Sequence, residues 1–131
     1  NEFLYSNNHT LREIVNISSM YCVVVPNPKL YDDGDIGCPI NYGVAKAAMN
    51  HITKELAVRL SKNNVRVNSI AFGGIQGRTS KEFNERYANL CPNGRMLKLD
   101  EVAGPVDFLL SKQASGITGH VLVVDGGWSL W

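Results

Sequence analysis

Long apolar runs are absent from this chain, and nothing in it approaches the roughly 20 residues that a membrane-spanning helix needs. The polar start Asn1-Glu2-Phe3 is not that of a secretory signal. Charge of one sign is equally scarce. With 13 Lys and Arg against 12 Asp and Glu the balance is +1, so neither nucleic acid nor an acidic membrane is an expected partner. Cysteine is confined to Cys22, Cys38 and Cys91, an odd number without metal-ligand spacing. Reduced thiols in a cytoplasmic protein fit that pattern better than a disulfide or a metal site. His9, His51 and His120 are isolated from one another and suit a surface or a satisfied core better than catalysis. Internal repeats and low-complexity tracts are missing as well.

What is present suits one globular domain: 131 residues, 44% apolar and 19% charged. The first dozen residues read as the tail of a helix and a polar turn through Asn7, Asn8, His9 and Thr10. The β-branched run Glu13-Ile14-Val15-Asn16-Ile17-Ser18 predicts a buried strand. From Met20 to Pro39 the chain is irregular, with three prolines and Asp32-Asp33-Gly34, a length of loop usually reserved for function or disorder. Asn41 is the expected cap of a helix running to Lys62, its apolar face made by Ala45, Met49, Ile52, Leu56 and Leu60. Asn63-Asn64 ends that helix.

A second strand is expected over Val65 to Ala71, followed directly by Phe72-Gly73-Gly74. Ser80 opens a short helix to Leu90, and another runs from Asp100 to Ser111 with Pro105 kinking it or lying near its start. His120 to Val124 predicts a third strand, closed by Asp125-Gly126-Gly127. Strands separated by helices indicate right-handed crossovers and a parallel sheet, so the fold class is α/β.

Tyr42-Gly43-Val44-Ala45-Lys46 carries the clearest chemistry. Four residues is just over one helical turn, which sets both side chains on one face. An ammonium beside a phenol favours the phenolate, and such a pair is suited to proton transfer near neutral pH. Alone the spacing is common, and most such pairs lie on solvated helix surface. Glycine supplies a further absence: no G-x-G-x-x-G turn occurs, and a doubly wound dinucleotide fold needs about six strands where three are visible. The chain therefore reads as the second half of a larger domain, with a complete small α/β domain as the alternative.

Together these segments resemble the short-chain dehydrogenase/reductase family over all 131 residues, but only the C-terminal half of its doubly wound, Rossmann-like fold. Asn16-Ile17-Ser18-Ser19 resembles the motif of the catalytic serine, and Tyr42 with Lys46 the catalytic pair. Asn64-Val65-Arg66-Val67-Asn68 with Phe72-Gly73-Gly74-Ile75 resembles the next strand and its cofactor turn. Ile117-Thr118-Gly119-His120 with Val124-Asp125-Gly126-Gly127 resembles the closing strand, where the glycines are mainly structural. The long loop and the ending Trp128-Ser129-Leu130 are most similar to reductases of bacterial surface-sugar or flagellin-glycan biosynthesis.

The resemblance implies an oxidoreductase that interconverts a carbonyl and an alcohol, on a sugar or sugar nucleotide, with NAD or NADP. It implies Tyr42 as general acid or base, Lys46 as its electrostatic partner and ribose ligand, and Ser19 as a donor to the substrate oxygen. Gly73, Gly74 and the Ile75 backbone would meet the cofactor. The helix over residues 41–62 would form a homodimer or homotetramer, and Trp128 and Trp131 would pack at a subunit boundary or domain edge. Phe72 replaces the usual proline, Gly77 stands near the place of a usual threonine with Thr79 two residues on, and the stretch from Ser19 to Tyr42 is long. The glycine turn, the NAD/NADP selector and the catalytic asparagine belong to the other half; Asn1, Asn7 and Asn8 lie too near Ser19 for that role. A non-catalytic fragment or scaffold, and a sugar-nucleotide epimerase or dehydratase, are the competing functions, and the 131-residue chain alone is expected to be inactive.

Overall fold

The computed structural model describes residues 11–31 and 37–131. The helix tail and polar turn expected before residue 11, and Asp32-Asp33-Gly34, lie outside the described residues. Among the described residues, three strands form one parallel sheet in the order β1 (Glu13–Ser19), β2 (Arg66–Phe72), β3 (Val121–Val124). Helix α1 (Ile40–Arg59) connects β1 to β2, while α2 (Lys81–Leu90) and α3 (Ala103–Leu110) lie between β2 and β3. The α/β class and the parallel arrangement are as the sequence implies.

Period-two alternation divides the core. Val67 joins Ala57 of α1 and Leu60, just past its end, on one side of the sheet. Ile70 and Phe72 point the other way, to Leu109 of α3. Polar pairs also hold α1 to the sheet: Asn16 Nδ2 donates to Thr53 Oγ1 at 2.9 Å, and Ser18 Oγ donates to the Lys46 carbonyl at 3.2 Å. A third cluster, with Met20, Leu30, Tyr87, Cys91, Met96 and Trp128, closes the C-terminal end of the sheet.

Three expectations change. Pro39, not Asn41, precedes α1, and no side-chain hydrogen bond caps that end. Proline is favoured at such a boundary because it fixes φ and has no N–H to satisfy. The far end stops earlier than Lys62: a 3₁₀ turn follows at Ser61–Asn63, and Asn64 adopts left-handed φ 55. The inward face of α1 carries Thr53 and Ala57, with Leu60 just past its end. Leu56 and Leu60 of the expected apolar stripe pack on this core, while Ile52 is 53% exposed, so the stripe is only partly spent on the sheet. Trp128 is buried and stacks on Tyr87 at 4.3 Å, and so belongs to the chain's own core. Trp131 is exposed, with its indole N–H donating to the Leu90 carbonyl.

Candidate active site

Register brings the strand ends level. Ser19 pairs with Phe72, and Phe72 with Val124, so the three strands finish together at one edge. That edge is where parallel α/β sheets gather ligands. Ser19 ends β1 nearly buried, and its Oγ accepts the Tyr21 N–H at 3.3 Å, which turns the chain into the 3₁₀ segment Met20–Cys22.

Tyr42 lies in the first turns of α1 and keeps 42% of its surface exposed. Lys46, one turn on, sets its ammonium 5.7 Å from the centre of the Tyr42 ring. The same ammonium donates to the Ile17 carbonyl at 2.9 Å. This bond ties the lysine to β1 two residues before Ser19 and leaves two of its three N–H donors for other partners. Tyr42 also meets the ring of Tyr21 edge-on, at 6.3 Å and 84°. Ser19, Tyr42 and Lys46 are thus linked to one strand end, the first two through Tyr21.

Gly73 and Gly74 continue β2 past that edge. A Cβ on Gly73 would lie 2.7 Å from the Asp125 Cα, and one on Gly74 would lie 2.7 Å from Met96 Cε and 2.8 Å from the Tyr87 ring. Both glycines are therefore demanded by packing inside the chain, before any cofactor is considered. The Tyr87 hydroxyl accepts the Gly74 N–H at 3.0 Å. Ile75 bridges Leu97 in parallel register, where Leu97 N–H donates to the Gly74 carbonyl and Gln76 N–H to the Leu97 carbonyl. In that pattern the flanking residues carry the bonds, so the N–H and C=O of Ile75 itself point away from Leu97.

Asp125 anchors the third strand end. Its carboxylate accepts N–H groups from Gly127 at 2.8 Å and Ser129 at 2.9 Å, while Gly126 and Gly127 take φ of 68 and 89. The structural role read for Asp125-Gly126-Gly127 agrees with this geometry. Tyr21 and Tyr87 are the residues that sequence reasoning missed. Both contact the expected site through their rings or hydroxyls, and only their spacing from Ser19 and Gly74 after folding marks them. Among the described residues no group of His, Cys, Asp and Glu could hold a metal ion. None of the described helices is long and apolar enough to cross a membrane.

Comparison with known proteins agrees with this architecture. The family model described as "Enoyl-(Acyl carrier protein) reductase" matches residues 7–129. The post-translational flagellin modification protein A of Campylobacter coli is 38% identical over 117 residues, covering 89% of this chain and 46% of that protein. Galactitol 2-dehydrogenase (L-tagatose-forming) of Cereibacter sphaeroides is 32% identical over 124 residues, 90% of this chain and 46% of the enzyme. A short-chain dehydrogenase of Leptospira borgpetersenii, solved with bound NAD+, superposes with a TM-score of 0.82 at 34% identity, over 89% of this chain and 44% of that structure. The chain spans about half the length of the curated relatives it matches. With the family match extending over nearly its whole length and the sheet, crossovers and Tyr42–Lys46 helix in place, the chain belongs to the short-chain dehydrogenase/reductase family.

Proposed function

We propose that the protein carrying this chain is an NAD(P)-dependent oxidoreductase that interconverts a carbonyl and an alcohol, with Tyr42, Lys46 and Ser19 as its reacting set. The observation that carries the reading is the placement of Lys46, held at the Ile17 carbonyl beside the Tyr42 ring, one strand end from Ser19. The residues present fit a nicotinamide nucleoside: Lys46 retains donors that would serve ribose hydroxyls, and the Ile75 N–H and C=O, unused by its bridge to Leu97, would serve a carboxamide. Gly73 and Gly74 line the same turn. When bound, the dinucleotide supplies or takes the hydride.

The chain's own residues handle the proton. In reduction the Tyr42 hydroxyl gives its proton to the substrate oxygen; in oxidation the phenolate oxygen takes it back. The Lys46 ammonium stabilises the negative charge on that oxygen. Ser19 Oγ donates to the substrate oxygen as charge develops there. Its 3.3 Å bond to the Tyr21 N–H uses Oγ as acceptor, so its own O–H is left for this purpose.

The likeness to a flagellin-modifying protein and to a galactitol dehydrogenase supports a polyhydroxylated, sugar-like substrate. Free thiols at Cys22, Cys38 and Cys91 support a cytoplasmic setting. The outer face of α1, where Val44 is 63%, Ile52 53% and Val58 76% exposed, supports a homodimer or homotetramer built on this helix. The test is turnover of a sugar and polyol panel with NADH and NADPH by the complete protein and by Tyr42→Phe. Loss of about 10²-fold or more in the variant, with dinucleotide affinity kept, is expected. Wild-type turnover by Tyr42→Phe overturns the reading.

A further inference from the structure

One residue that touches both Ser19 and Tyr42 has no part in the proton transfer. Tyr21 gives its backbone N–H to Ser19 Oγ and places its ring edge-on against the Tyr42 ring. Its carbonyl lies 3.4 Å from where a Cβ on Gly43 would be, so the backbone around Tyr21 also abuts the first turn of α1. Its hydroxyl is 3.3 Å from the Tyr31 hydroxyl. Tyr31 is fixed in turn by an edge-on contact with Phe83 of α2 at 5.9 Å. A continuous line of rings therefore runs from α2 to the site tyrosine, although Tyr21 and Tyr31 belong to the long loop after β1.

We infer that Tyr21 is the positioning residue for Tyr42: its ring sets the orientation of the Tyr42 ring, and its hydroxyl, joined to Tyr31, keeps Tyr21 in place. This rests on the role proposed for Tyr42. A half-exposed tyrosine on the first turn of a helix has several rotamers open to it, and proton transfer needs one of them. The edge-on contact removes that freedom without consuming the Tyr42 hydroxyl. Burial, with the Tyr31 hydroxyl adding to it, holds the Tyr21 phenol protonated well above the ordinary tyrosine range. Tyr21 is thus kept neutral, a wall and a hydrogen-bonding partner, and does not compete with Tyr42 for the proton.

The experiment measures kcat, KM, dinucleotide Kd and the solvent deuterium isotope effect for the complete protein carrying Tyr21→Leu, Tyr21→Phe, Tyr31→Phe and the Tyr21→Phe/Tyr31→Phe pair. Tyr21→Leu should lower kcat by about 10–100-fold and enlarge the isotope effect, since a misplaced acid makes proton transfer more limiting. Dinucleotide Kd should stay within about twofold, because the cofactor contacts run through Lys46 and residues 73–75. Tyr21→Phe keeps the ring and should restore most of the rate. It and Tyr31→Phe should each lose a few-fold in kcat, and the pair should lose no more than either alone, because both delete one hydrogen bond.

Wild-type kcat in Tyr21→Leu would overturn the inference. So would a Tyr21→Phe variant as impaired as Tyr21→Leu, or additive losses in the pair. If Tyr21→Leu fails to fold, the two phenylalanine variants and their pair still decide by additivity. Tyr42→Phe, run alongside, separates the levels: an active Tyr42→Phe removes the functional reading itself, whereas an inactive one with normal Tyr21→Leu removes only the role of Tyr21.

Discussion

Replacing Tyr87 with phenylalanine isolates one hydroxyl at the edge of the candidate site. The ring is 1% exposed and stacks on Trp128 at 4.3 Å and 20°, so the substitution leaves the apolar packing as it was. What is lost is the acceptor for the Gly74 N–H at 3.0 Å, together with a weak contact to Met20 Sδ at 3.8 Å. An N–H stranded by such a deletion costs about 1–3 kcal/mol. Gly74 is only half-buried, so water recovers part of that, and about 1–2 kcal/mol is expected. Urea denaturation of the complete protein, followed by tryptophan fluorescence, should show a lower midpoint with an unchanged slope. Tyr87→Ala, which also forfeits the stack on Trp128, should cost about 3–5 kcal/mol. Dinucleotide affinity should weaken in Tyr87→Phe as the turn at residues 73–75 loosens. Unaltered midpoint and affinity in Tyr87→Phe would show that the hydroxyl does not hold this turn.

Gly73→Ala should destabilise by about 1–3 kcal/mol in the same assay, since its Cβ would meet the backbone of Asp125 at 2.7 Å. Asn68→Ala should cost about 1–3 kcal/mol, because it removes the acceptor of the His120 N–H and one of the two donors to the Ile117 carbonyl, which keeps Arg66. Acid should remove a contribution from Glu101, whose carboxyl is lowered to about 2, first by the hydrogen bond from Arg95 and then by the Lys98 N–H. That contribution is complete above the ordinary value of 4.5 and disappears as pH falls toward 2, which Glu101→Gln should flatten in acid denaturation. At the other extreme, burial pushes the Tyr87 phenol up to about 12, so stability should decline as pH rises from 10 toward 12, and Tyr87→Phe should remove that decline.

Strand positions were legible because β-branched runs between polar breaks have few alternatives, and all three strands lie within one residue of expectation. The orientation of α1 was not. Hydropathy gives one apolar face of Ala45, Met49, Ile52, Leu56 and Leu60, read as a subunit interface, yet Leu56 and Leu60 pack on the core beside Thr53, which is fully buried and satisfied by Asn16 and by the Met49 carbonyl. Polar residues buried in pairs are invisible until the partner, 37 positions away, is known. Trp128 was misjudged for the same reason, since its companion Tyr87 is remote in sequence. Tyr42 and Lys46 were legible because helical spacing alone sets them on one face. The part played by the glycines after β2 required the neighbouring strand end before packing could be separated from ligand approach.

The opposite end of the sheet carries a different lesson. Arg66, at the start of β2, donates through one guanidinium nitrogen to the carbonyls of Ala114 and Ile117, and through the other to Ser111 and the Glu13 carboxylate. One planar group thus fastens the entrances of β1 and β2 to the turn that leads into β3, a fork that lysine could not reproduce. The lower rim becomes a fixed datum for the entire layer. Loops on the upper rim can then be exchanged without shifting the floor on which they stand, and an engineer seeking new selectivity should cut within residues 23–29, leaving Arg66, the buried Met20 and Leu30, and the Tyr21–Tyr31 pair untouched.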